Sequence, residues 1–134
     1  MTQLTITKPI YGWANLSLNG DEFYISYNTN FGYEILNAAY KNFQDHNSFQ
    51  TILLNSEGDG TYYLIFDAGQ LTICWTGDNY CKHYFFGSAK ELLRQVCRSI
   101  SLYPKEWDLF YESEGACVSS LLDQIKENCP EVIK

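Results

Sequence analysis

The dipeptide Asn19-Gly20 stands between two runs of alternating residues, and this arrangement limits what the chain can fold into more than any other feature. Asn-Gly tolerates the positive φ angles of a two-residue type I′ turn, whose twist matches that of paired antiparallel strands. Before it, residues Trp13 to Leu18 place Ala14, Leu16 and Leu18 on one face and Trp13, Asn15 and Ser17 on the other. After it, Glu22 to Asn28 gives Phe23, Ile25 and Tyr27 to the core side and Glu22, Tyr24 and Ser26 to the opposite side. A period of two on both sides of a tight turn is the signature of a β-hairpin with one buried face. A short strand within Gln3 to Lys8, ended near Pro9, is expected to precede it.

The period then changes. Tyr33, Leu36, Tyr40 and Phe43 recur at helical spacing, with Glu34 in the first turn where the helix dipole favours an acid, so a helix is predicted from about Phe31 to Gln44. Four strand-like runs follow: Gln50 to Asn55, Thr61 to Asp67, Leu71 to Thr76 and Tyr80 to Phe86. The connections between them, Gly58-Asp59-Gly60, Ala68-Gly69 and Gly77-Asp78-Asn79, are too short for parallel crossovers and predict an antiparallel meander. Ser88-Ala89-Lys90-Glu91 is a capping box, and behind it Leu92, Leu93, Val96, Cys97 and Ile100 form the apolar stripe of a helix that Pro104 stops. Lys105 to Glu112 reads equally as a short helix or an edge strand, and Val118, Leu121, Leu122 and Ile125 define a last helix, finished before Pro130. The order predicts one α+β domain over residues 1–134, a single mainly antiparallel sheet of about six to seven strands with about three helices packed on one face.

A chain of 134 residues with 46% hydrophobic side chains can bury a core without help from disulfides or metals. Its apolar runs, such as Leu71 to Trp75, are far too short to span a bilayer, and Met1 to Thr5 lacks the basic flank and apolar stretch of a secretion signal. Cys74, Cys81, Cys97, Cys117 and Cys129 are odd in number and lack framework spacing, so reduced thiols in a reducing cytoplasm are expected. A zinc site would have to draw on Cys81 and His83 with Cys74 and Cys97, but there is no C-x-x-C pair, and neither metal nor cofactor is expected. Of the net charge of −7, the first 79 residues carry −6, from eight acids against Lys8 and Lys41. Such a balance opposes direct contact with nucleic acid or an anionic membrane and suits a basic partner.

Catalytic motifs are missing: the sequence has no G-x-S-x-G, P-loop, G-x-G-x-x-G or H-E-x-x-H. Gly58-Asp59-Gly60 precedes a strand and not a helix N-terminus, which makes it a turn and not a phosphate cradle. A histidine-dependent enzyme would rely on His46, in the polar loop Asp45 to Ser48, or on His83, within a strand, with Cys74 or Cys97 as nucleophile. Glu57 and Asp59 are close enough to imitate a glycosidase pair, yet a hairpin tip keeps both simply ionised. Binding chemistry is better founded. If helices cover one face only, Trp13 and Tyr24 face solvent among Asn15, Ser17 and Ser26, the setting of interface anchors. Because turns of a meander alternate between its ends, Glu57, Asp59 and Asp78 are expected at one end as an acidic rim. These five residues are the candidate partner-binding site.

The combination Leu18-Asn19-Gly20, Phe23-Tyr24-Ile25-Ser26, Ile35-Leu36-Asn37-Ala38-Ala39, Leu71-Thr72-Ile73 and Phe86-Gly87-Ser88 resembles small bacterial immunity-like proteins of polymorphic toxin systems of the contact-dependent inhibition type, over about residues 13–125. The resemblance implies a non-enzymatic inhibitor that binds a cognate protein toxin, often a nuclease; a monomer or weak homodimer is expected. It assigns no residue a role. The alternative is a small cytosolic enzyme or ligand-binding α+β domain with a pocket between sheet and helices, which a deep polar cavity near His83 and Cys81 would favour.

Overall fold

In a computed structural model, residues 1–26, 30–45, 49–56, 60–75, 80–110 and 117–133 are described. The chain order is β1 (Leu4–Ile6), β2 (Trp13–Leu18), β3 (Asp21–Ser26), α1 (Phe31–Gln44), β4 (Gln50–Ser56), β5 (Gly60–Asp67), β6 (Gln70–Trp75), β7 (Tyr80–Phe85), α2 (Ala89–Ile100), α3 (Pro104–Phe110), α4 (Val118–Asn128) and α5 (Pro130–Ile133). The α+β class and antiparallel pairing agree with the sequence, but the single sheet of six to seven strands does not. The described residues form two antiparallel sheets, β1-β2-β3 and β4-β5-β6-β7. Between β3 and β4 the chain spends 14 residues on α1, so no hairpin joins the two sets of strands. The sheets meet instead through contacts outside their ladders: β3 packs beside β4, and the Thr2 amide donates to the Phe85 carbonyl at 3.1 Å, beyond the start of β1.

The expected hairpin is formed, with Leu16 opposite Phe23, Ala14 opposite Ile25 and Asn15 opposite Tyr24. Asn19 and Gly20 both take positive φ, 53° and 91°, as a type I′ turn requires. The same geometry recurs at Ala68-Gly69 between β5 and β6. It appears a third time at Tyr11-Gly12, where Ile10 and Trp13 exchange backbone hydrogen bonds of 2.9 and 3.0 Å and extend the β2 end by one more small loop.

Among the described residues five helices stand where about three were expected. Lys105 to Glu112 resolves in favour of helix as far as Phe110, and α5 is an extra turn after the last expected stop. Both α3 and α5 begin on proline, whose missing N–H and fixed φ cost nothing at a first helical position, so Pro104 and Pro130 each end one helix and start the next. Ser88 caps α2 by accepting from the Glu91 amide at 3.1 Å, while the Glu91 carboxylate engages Gln95 and Arg94. Helix α1 packs on β4, β5 and α2, and α2 packs on β1 and α5. One apolar cluster joins all of these, from Leu16, Leu18 and Ile25 through Leu64, Phe66 and Leu71 to Leu92, Val96, Trp107 and Ile125. The Gln95 side chain pins β1 to this core, its Oε1 accepting from the Leu4 amide at 2.6 Å and its Nε2 donating to the Thr2 carbonyl at 2.9 Å.

Candidate functional site

Trp13 and Tyr24 stand on the outer face of the first sheet, 40% and 47% exposed. Their backbones make Trp13 a partner of Ser26 and Tyr24 a partner of Asn15, so the two rings are diagonal neighbours on adjacent strands. Ile10, paired with Trp13 across the small loop, is 55% exposed, and Tyr11 at its tip is 97% exposed. Tyr11 and Leu109 of α3, itself 78% exposed, line one shallow groove of about 240 Å³ with Pro9, Glu106 and Phe110. A run of apolar groups thus extends from Tyr24 through Trp13 and Ile10 to Tyr11 and Leu109. Exposed apolar groups gathered in this way mark interaction surfaces, whereas single ones scattered over a surface mean nothing. Glu22, on the same strand face as Tyr24, and Glu106 give the run an acidic border.

Glu57, Asp59 and Asp78 lie outside the described residues, as does His46. What the structure provides is the strand ends that lead into those segments. Ser56 pairs with Gly60 and Trp75 with Tyr80, and Tyr62 pairs with Trp75, so the two connections leave the same end of the sheet, opposite Ala68-Gly69. Strand β3 is directed toward that end. Its first residue, Asp21, reaches Lys82 and Tyr84, and two residues on Phe23 meets Tyr62 edge to face with ring centroids 5.9 Å apart.

Ile10, Tyr11 and Leu109 were not singled out from the sequence. The signal for the first two was present in Pro9-Ile10-Tyr11-Gly12-Trp13, where glycine two residues after an apolar residue closes a second tight turn. Leu109 could be recognised only once α3 was known to be a helix, because it lies off the stripe that buries Trp107 and Phe110.

A second feature lies at the seam of the two sheets. The Asp21 carboxylate accepts from Lys82 Nζ and, at 2.8 Å, from the Tyr84 hydroxyl, bonds that hold its pKa below the ordinary carboxylate range. An open groove of about 380 Å³ runs beside them, bordered also by Met1, Asn19 and His83. The His83 Nδ1 is engaged by Thr72 Oγ1 at 2.7 Å and Gln70 Nε2 at 3.1 Å. Cys97, the other nucleophile considered, is buried in α2, where burial pushes its thiol up to about 12. Among the described residues no three His, Cys, Asp or Glu side chains gather as metal ligands would, and no helix is long and apolar enough to cross a membrane. Comparison with known proteins finds no matching family model, no matching curated protein and no matching solved structure.

Proposed function

We propose that the chain is a protein-binding inhibitor of the immunity type, which neutralises a cognate bacterial toxin by covering part of its surface. The observation that carries this reading is the exposed run Tyr24, Trp13, Ile10, Tyr11 and Leu109, held on the β2–β3 hairpin, on the small loop that Ile10 and Trp13 close, and on α3. Rigid aromatic side chains lose little freedom on binding, and Trp and Tyr dominate the residues whose truncation costs most at interfaces. Acidic groups at its border and the net charge of −7 favour a basic partner, of which a nuclease toxin is one kind. Trp13 and Tyr24 are the anchors, and Glu57, Asp59 and Asp78 supply attraction at longer range.

Co-expression with the product of the gene immediately upstream of the chain's own, where that product arrests growth, tests the proposal. The chain should restore growth and co-purify with that toxin, and the double variant Trp13→Ala/Tyr24→Ala, melting as the parent does, should dissociate faster by roughly tenfold or more. Growth arrest that persists beside a well-folded chain would end the toxin-inhibitor reading, and wild-type dissociation of the double variant would remove the anchors from it. The groove at Asp21, Lys82 and Tyr84 supports a second reading, a small-ligand domain, although a ligand there must compete with the bonds those groups already make. A ligand that raises the melting temperature of the parent but not of Lys82→Ala would favour that reading.

A further inference from the structure

Cys74 on β6 and Cys81 on β7 are direct partners across the ladder. Antiparallel pairs alternate between hydrogen-bonded and non-hydrogen-bonded, and two observations fix the class of this one. The Phe86 amide donates to the Gly69 carbonyl at 2.9 Å, which makes 69/86 a hydrogen-bonded pair. Counting in twos along the register, 71/84, 73/82 and 75/80 share that class, and 74/81 falls in the other. The Thr2 amide supports the same parity, because it bonds a Phe85 carbonyl that must then point away from β6. In a non-hydrogen-bonded pair the Cα atoms are about 4.5 Å apart, within the roughly 4.4–6.8 Å that a disulfide spans.

The two thiols also differ in a useful way. Cys81 is exposed and Cys74 is half-buried. The neighbouring Cys81 thiol, with burial, pushes Cys74 up to about 11, so Cys81 is the thiol open to an oxidant from solvent and Cys74 the one held behind it. The remaining thiols are placed otherwise. Burial raises Cys97 and Cys129, and Cys117 is occupied by the Asp108 carboxylate at 3.4 Å.

We propose that Cys74 and Cys81 form a reversible oxidation site for hydrogen peroxide, with Cys81 the reacting thiol and Cys74 the resolving one. The Cys81 sulfur attacks one peroxide oxygen, the O–O bond breaks, and the other oxygen leaves as water with the thiol proton, which yields a sulfenic acid. The Cys74 sulfur then displaces the sulfenic oxygen, an S–S bond forms as the S–O bond breaks, and a second water departs with the Cys74 proton. Two electrons pass from the thiol pair to one peroxide, and a small dithiol returns them by exchange. Paired thiols of this kind suit a reducing compartment, where disulfides are transient and redox-sensing.

The test treats the full chain with hydrogen peroxide at low molar excess, alkylates what remains reduced, and maps unreduced peptides. A Cys74–Cys81 link that dithiothreitol reverses is expected, with Cys97 and Cys129 alkylated intact. In Cys74→Ser the sulfenic acid on Cys81 should persist long enough to be captured by dimedone, and in Cys81→Ser oxidation of Cys74 should slow by roughly tenfold or more. Full alkylation of both residues, with Cys117 or a Cys97–Cys129 link oxidised in their place, would overturn the assignment. That mapping on the parent chain decides the matter even if a serine variant folds poorly.

Discussion

Asp108 joins two helices through one carboxylate. From the middle of α3 its Oδ1 accepts from the Val118 amide at 2.7 Å and the Ser119 amide at 3.3 Å, and its Oδ2 accepts from the Ser119 hydroxyl, which satisfies donors at the start of α4. Burial acts to raise its pKa, but bonds from Ser119, Cys117 and the two amides outweigh burial and hold it below the ordinary value of 3.8. A carboxyl depressed in the folded state stabilises fully above its unfolded pKa and loses that contribution as pH falls through the folded value. Asp108→Ala should therefore lower stability by about 1–2 kcal/mol at neutral pH, as loss of a helix cap does, and the gap from the parent should shrink on acidification below 3.8. Thermal melts of both proteins across that range provide the check, and a gap that stays constant would show that the contact is not ionic. Nothing in the sequence announced this cap, since donor and acceptor are ten residues apart across another segment, whereas Ser88 was legible because its partner Glu91 is three residues away.

Elements were legible to the extent that their information is local. Alternation, helical spacing and turn residues located the seven strands and three of the helices among the described residues, because a period reports which face of its own element is buried. They did not report which strand edges meet, and that is why one sheet was expected where two exist: β3 and β4 lie beside one another in sequence order, yet hydrogen-bond to neither the same ladder nor a shared strand. Turn chemistry can be tested at this scale. Gly20 needs glycine for its φ of 91° alone, since an added Cβ would meet nothing within 4 Å. Gly69 has the same φ, but an added Cβ would also lie 2.6–2.9 Å from the backbone of Ser88, where the chain turns into α2. Gly20→Val should cost about 1 kcal/mol or more, from the backbone conformation. Gly69→Ala, although the smaller side chain, should cost more, because backbone atoms cannot move aside as a side chain does. Urea denaturation of the two variants ranks them, and the reverse order would mean that the β5–β6 turn gives way easily against α2.

At the scale of the whole molecule, charge and apolar surface are both placed unevenly. Alternation within one hairpin was enough to put Trp13 and Tyr24 on an open face, while the extension of that face through Ile10, Tyr11 and Leu109 depended on a tertiary approach between a small loop and α3 that no single element encodes. The acidic rim is expected from the charge count, since the first 79 residues hold −6 of the net −7, and from turn parity; Glu57, Asp59 and Asp78 lie outside the described residues, and the four-stranded register brings to one end the strand ends that lead to them. Attraction between opposite charges acts before contact, so it governs association and fades as salt shortens its reach to about 8 Å at physiological ionic strength. Apolar contacts act after docking and govern dissociation. The two groups of residues should therefore separate kinetically once a partner is in hand. Neutralising Glu57, Asp59 and Asp78 together, as Glu57→Gln, Asp59→Asn and Asp78→Asn, should lower the association rate by about tenfold or more at low ionic strength, flatten its salt dependence and leave dissociation nearly unchanged. Trp13→Ala/Tyr24→Ala should do the converse, a faster off-rate with the salt dependence of association preserved. Stopped-flow association over a salt series reads both, and an unchanged on-rate in the folded triple variant would show that the partner approaches another part of the surface.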